Sequence, residues 1–169
     1  MIRLVIRGLV DGALSSLGVV IGASLSDDLQ VILSAGFSGA VANGFSNVLA
    51  AFTAEKAGQY KNLVEVEKKM LRSLKGTDKE KGISKRVLKG GALDGVFSLL
   101  GGVVPIAPFF FLPLDSAVYA AVLLVALIAA FLGAYTARLS KESFFFGILK
   151  MIAFTLATAG ICALIQFVI

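Results

Sequence analysis

Charge placement constrains this chain more than any other feature. Its Lys, Arg, Asp and Glu residues fall in clusters. Between the clusters lie five long stretches with few charges, roughly 6–26, 29–54, 90–112, 116–137 and 144–169. A helix rises about 1.5 Å per residue, so about 20 residues cross the ~30 Å hydrocarbon core of a bilayer. Inside that core backbone amides must be paired within the spanning structure, and a helix does this alone. At 57% hydrophobic and 16% charged residues, the chain is too apolar for an ordinary soluble domain. The expectation is an all-α integral membrane protein of five transmembrane helices.

Orientation follows from the 16 basic residues. Arg3 and Arg7 stand at the start of the first span, and eleven more lie from Lys56 to Lys89. Arg138, Lys141 and Lys150 flank the turn between spans four and five. Five alternating spans bring all of them to one side, while the other side carries Asp27, Asp28 and Asp115. Basic residues mark the cytoplasmic face. The amino terminus is therefore expected in the cytoplasm and the carboxyl terminus outside, in the cell membrane or, in a eukaryote, in a vacuolar-type membrane. Residues 1–54 form a transmembrane hairpin, 55–89 a short cytoplasmic amphipathic helical segment, and 90–169 spans three to five. The net charge of +5 is explained by this topology and not by nucleic-acid binding. The first stretch contains Asp11 and lacks a small-residue cleavage site, so it is expected to be a retained helix.

An internal echo divides the chain. Gly8-Leu9-Val10-Asp11-Gly12-Ala13-Leu14-Ser15-Ser16-Leu17-Gly18 is matched by Gly91-Ala92-Leu93-Asp94-Gly95-Val96-Phe97-Ser98-Leu99-Leu100-Gly101. The shared pattern, Asp-Gly-x-x-Ser-x-Leu-Gly, opens spans one and three, as expected of parallel repeats. Chance similarity between helices rich in small residues is the alternative.

A carboxylate within a bilayer costs about 2.5–3.5 kcal/mol on insertion scales, so Asp11 is a functional candidate. On a helix, Asp11, Ser15, Gly18 and Gly22 share a face, as do Gly39, Asn43 and Asn47 in span two. Counted from the Asp27–Asp28 turn, Asp11 and Asn43 both lie roughly 22–24 Å deep, which sets them at one height on neighbouring helices. With one Cys and no His, a metal here is held by oxygen, with at most a methionine sulfur in addition. Asp11, Asn43 and Asn47 are thus a candidate cation site. The competing readings are that Asp11 pairs with Arg7 one turn earlier and that the two amides only bond across helices. Asp94, the repeat counterpart of Asp11, is expected to pair with Arg138. Lys150 is expected to snorkel, and Pro105 and Pro108 to kink span three.

In the cytoplasmic segment Tyr60, Leu63, Val64, Met70, Leu71 and Leu74 share one helical face. Glu67 falls in the middle of it, either exposed by chance or, with Met70, facing a metal or a partner helix. Gly76-Thr77-Asp78 reads as a turn, with Ser84 capping the next helix. The lysines suit contact with anionic headgroups.

Several motifs together resemble the vacuolar iron transporter family. They are Arg7-Gly8-Leu9-Val10-Asp11-Gly12 in span one, and Gly39-Ala40-Val41-Ala42-Asn43-Gly44 with Val48-Leu49-Ala50-Ala51 in span two. Gly101-Gly102-Val103-Val104-Pro105-Ile106-Ala107-Pro108-Phe109 in span three and Leu132-Gly133-Ala134 with Ala137-Arg138-Leu139 in span four complete the set. The resemblance implies a five-helix protomer that dimerises, with the first spans lining a route for ferrous iron or manganese out of the cytoplasm. It assigns Asp11 to that route and places Asn43 where the family has methionine. It also implies a cytoplasmic loading role for Glu67 and Met70. Two family acids are missing: their positions hold Leu4 and Ala35. Replacing methionine by asparagine favours harder cations.

Together these readings lead to a homodimeric, proton-coupled exporter of a divalent cation such as Fe2+ or Mn2+. Its ligands are Asp11, Asn43, Asn47, Glu67 and Met70, and its partners are the bilayer, the cation, protons and a second copy. No enzyme chemistry or cofactor is implied, because no phosphate-binding loop and no nucleophile–base pair is present. A non-transporting membrane scaffold and a passive cation channel are the alternatives.

Overall fold

The computed structural model describes residues 2–140 and 142–168, with every side chain among them except those of Lys79 and Phe167. The described residues form five long helices and no strand: α1 Ile2–Ala23, α2 Leu29–Met70, α3 Asp78–Val103, α4 Leu114–Ser140 and α5 Phe144–Val168. Among the described residues three stretches, Ile2–Ser26, Leu114–Ser140 and Phe144–Gln166, are long and apolar enough to cross a membrane. Residues α2 and α3 would bury are diluted by Asn43, Asn47, Ser and Gly in α2 and by the charged first half of α3. Only 11% of the most apolar α5 window is buried within the protein, so a soluble fold would leave this helix bare. The protein is an integral membrane protein.

α1 is the centre of the bundle and packs against each of the other four helices. Its turn into α2 passes through Asp27 at φ 51°, and Asp28 caps α2 by accepting from Gln30 N at 2.8 Å. α3 runs in the direction of α1: Gly8 lies against Asp94, and Gly12 against Ser98. α5 also runs this way, with Gly18 against Cys162 and the Gln166 amide donating to the Ile21 carbonyl. α2 and α4 run oppositely. The alternation brings the described basic residues to one end of the bundle. Ala13, Leu17, Val20 and Ile21 of α1 form the main core with Ile32, Ala40, Ile106, Phe109, Ala117, Ala121 and Val125.

Several expectations are corrected. α2 does not break near residue 55 but runs on for 42 residues in all, to Met70, about 60 Å at helical rise. α3 begins at Asp78, behind Thr77, so Ser84 is inside the helix and caps nothing. The extensions of α2 and α3 form a hairpin around Leu63, Leu74, Ile83 and Val87, with Val66 against them. Val64, Met70 and Leu71 of the expected stripe are exposed instead, because the hairpin covers only one side of α2. The turn at Gly76 does form, at φ 76°, a left-handed backbone that glycine adopts at no steric cost. Pro105 and Pro108 do more than kink span three: α3 ends at Val103, and a 3-10 turn at Ala107–Phe110 leads to α4. Pro105 has no N–H to continue the ladder and crowds the preceding turn.

Candidate metal site

Glycine brings three backbones together at one level. A Cβ on Gly12 would overlap the Ser98 backbone, and a Cβ on Gly95 would meet the Gly44 carbonyl at 2.8 Å. Small residues at such crossings let helix axes approach closely. Asp11 of α1, Asn43 and Asn47 of α2, and Ser98 of α3 converge there. The Asn43 Nδ2 donates to Asp11 Oδ2 at 2.9 Å, and the Asn47 Nδ2 to the same oxygen at 2.6 Å. Both amides also reach Ser98 Oγ at 3.0 Å. Ser98 is buried, whereas Asp11, Asn43 and Asn47 are half-buried.

The sequence pointed to three of these four residues. Ser98 was overlooked as a site residue, although the repeat marks it: it is the counterpart of Ser15. Ser15 itself is exposed and does not join the cluster. Of the stripe Asp11, Ser15, Gly18 and Gly22, only Ser15 and Gly22 are exposed: Asp11 turns to α2 and Gly18 packs against Cys162 of α5.

Arg7 does not bond Asp11. Its Nε donates to Asp94 Oδ1 at 3.1 Å and its terminal nitrogen to Asp94 Oδ2, a two-point ion pair with a carboxylate that has no exposed surface. The expected partner of Asp94, Arg138, is thereby corrected to Arg7. α3 packs on α1 and α2, and α4 packs on α5 and α1, so the central helix stands where the hairpin partner was expected. A further residue, Glu55, enters the picture: with Arg3, Arg7, Gln59 and Asn62 it lines a cavity of about 510 Å³ at the basic end. Only its place at the end of span two hinted at this.

Glu67 and Met70 lie apart from the cluster. Glu67 Oε1 accepts from Leu74 N at 2.6 Å and from Ser73 Oγ at 3.3 Å, closing the turn after α2. Met70 is 56% exposed. Glu67→Gln is expected to lower stability by about 1 kcal/mol through a weakened hydrogen bond to the turn, read as a fall in thermal midpoint.

Among the described residues no three His, Cys, Asp or Glu side chains gather. The cluster therefore offers one carboxylate, two amides and a hydroxyl. Asparagine amides present either a donor or an acceptor. Here they donate to the carboxylate; turned over, each aims a carbonyl oxygen at the same point. The set is then all oxygen, the chemistry preferred by Mg2+, Mn2+ and Ca2+ and accepted by Fe2+.

Comparison with known proteins identifies the family. A model of the VIT family matches residues 65–166, from the end of α2 through α5, so Asp11, Asn43 and Asn47 precede the matched segment. An uncharacterized protein of Methanocaldococcus jannaschii is 40% identical over 168 residues, covering 97% of this chain and 87% of that protein. Matched over more than half its length, this five-helix membrane protein belongs to the VIT family of metal-ion transporters.

Proposed function

We propose that the protein is a homodimeric antiporter that spans the cell membrane five times, amino terminus inside, and exports a divalent cation such as Mn2+ or Fe2+ in exchange for protons. One observation carries this reading: Asp11 is held by two amides from α2 and, among the described residues, hydrogen-bonds no basic one. A half-buried acid hydrogen-bonded by neutral, reversible donors is ready to exchange them for a cation. The ion enters from the cavity beside Glu55, sheds water, and takes one Asp11 oxygen, the turned carbonyls of Asn43 and Asn47, and Ser98 Oγ. When it leaves on the far side, a proton neutralises the carboxylate for the return.

The test is flux into vesicles containing the purified protein and a metal-sensitive dye, with the membrane potential clamped. An acidic interior should accelerate Mn2+ entry. Flux insensitive to the pH gradient would indicate a passive channel. No flux, and no saturable Mn2+ stabilisation of the protein, would indicate a scaffold. The scaffold reading has specific support, because Leu4, at the position of one missing acid, is buried in the core. Asn43→Met should shift preference toward softer ions, raising Fe2+ affinity relative to Mn2+ by about tenfold, the scale on which shell changes act at metal sites. Competition titrations under anaerobic conditions measure that ratio.

A further inference from the structure

Arg7 and Asp11 are one turn apart on α1, where side chains at i and i+4 are neighbours about 5–6 Å apart at Cβ. An arginine there has the reach to occupy Asp11 permanently. It is held elsewhere, by both oxygens of Asp94. Asp94 is wholly buried, whereas the Arg7 side chain is 49% exposed and borders the cavity shared with Glu55. Asp11 and Glu55 are the other carboxylates close enough to attract its charge.

The repeat explains how the arrangement arises. Asp94 occupies the place of Asp11, but the residue in the place of Arg7 is Gly90. The second half thus has an acid without a base one turn before it, and the close α1–α3 packing delivers the base of the first half to it. One arginine is shared between two aspartates, and the buried one holds it.

We propose that Asp94 is a positioning residue for transport: by holding Arg7 it keeps a tethered cation off Asp11 and leaves that carboxylate free for the divalent ion. Without the charge of Asp94, Arg7 turns to Asp11 and competes with the metal from inside the protein. The proposal rests on Asp11 being the cation ligand, and its test separates the two claims.

The full-length protein in detergent is titrated with Mn2+, the free ion being followed by electron paramagnetic resonance. Asp94→Asn should weaken Mn2+ binding by about tenfold or more, and adding Arg7→Gln should bring it back to within about threefold of the parent, the range in which indirect partners of a metal site act. Asp11→Asn is the reference. If it binds Mn2+ like the parent, the site itself is wrong and the positioning role falls with it. If Asp11→Asn loses binding and Asp94→Asn does not, the site stands and the positioning role is overturned.

A further arm removes stability from the question. In a protein combining R7C, D94N and C162S, no buried charge is left unpaired, and residue 7 is exposed enough to be labelled. A positively charged methanethiosulfonate at Cys-substituted position 7 should weaken Mn2+ binding by about tenfold, and a neutral reagent of equal size should not. A mere brace between helices does not distinguish the sign of the label. Equal effects of the two reagents, or none from either, would overturn the proposal even if Asp94→Asn alone does not fold.

Discussion

Asp11→Ala should abolish Mn2+ flux and leave a folded protein. Asp11 is the one carboxylate in the cluster, and the remaining donors are neutral. Two amides and a hydroxyl do not repay the dehydration of a doubly charged ion in a partly buried site. Loss of the carboxylate should therefore weaken binding by at least ~100-fold, beyond the usual cost of losing an outer partner. The fold should survive because the α2–α3 contact does not run through Asp11. Asn43 and Asn47 keep their bonds to Ser98 Oγ at 3.0 Å, and Arg7 keeps Asp94. The thermal midpoint in detergent is expected to move little, with a stability change of about 1 kcal/mol, the net worth of a hydrogen bond. Flux from Asp11→Ala at the parent's rate would remove this cluster from the transport mechanism.

Gly12→Val should have the largest effect on folding. A Cβ at this position would fall on the Ser98 carbonyl oxygen, 2.7 Å from its carbon and 2.9 Å from its Cα. These are backbone atoms inside a helix and have no rotamer to adopt. Relief requires α1 to retreat from α3 along the whole crossing, which draws Asp11 from the amides and Arg7 from Asp94. A loss of about 3 kcal/mol is expected, the upper range for overpacking, read as loss of monodisperse protein and a lowered thermal midpoint. Gly160→Val on α5 is the control. Nothing lies within 4 Å of a Cβ there, so stability should change little. If Gly12→Val melts with the parent, the helices do not meet as closely as this packing requires.

The candidate site was partly legible for a geometric reason. Residues on a single helix, such as Asp11 and Ser15 or Asn43 and Asn47, are related by the fixed 3.6-residue turn, and depth follows from counting to the shared Asp27–Asp28 turn. Asp11, Asn43 and Asn47 were therefore found together from spacing alone. Ser98 was not, because it stands 51 residues from Asn47, and only the α1–α3 crossing sets their distance. Arg138 stands away from Asp94 for the same reason. A hairpin between α3 and α4 is the simplest fold of adjacent helices, but α1 takes the central position. Its Gly8 and Gly12 permit an approach to α3 that larger residues would prevent.

Proline and glycine were read correctly in kind and not always in degree. Gly76 made its turn, while Pro105 ended a helix that it was expected only to bend. Glu67 shows a further limit. Its position on an apolar stripe was visible, but that this half-buried acid also closes a turn depends on where the chain goes next. Leu71 enters the left-handed region at φ 48° and returns Leu74 N to Glu67.

By itself the sequence determined the helical, membrane-embedded character of the protein and the gathering of the described basic residues at one end, since hydrocarbon thickness and helical rise are constants that clustered charges must obey. It also determined that Asp11, Asn43 and Asn47 lie at one depth. Tertiary structure alone decided which acid receives Arg7. Two aspartates compete for one guanidinium, both are within reach of α1, and the outcome depends on glycine contacts that place Asp94 against it. That choice leaves Asp11 with neutral partners.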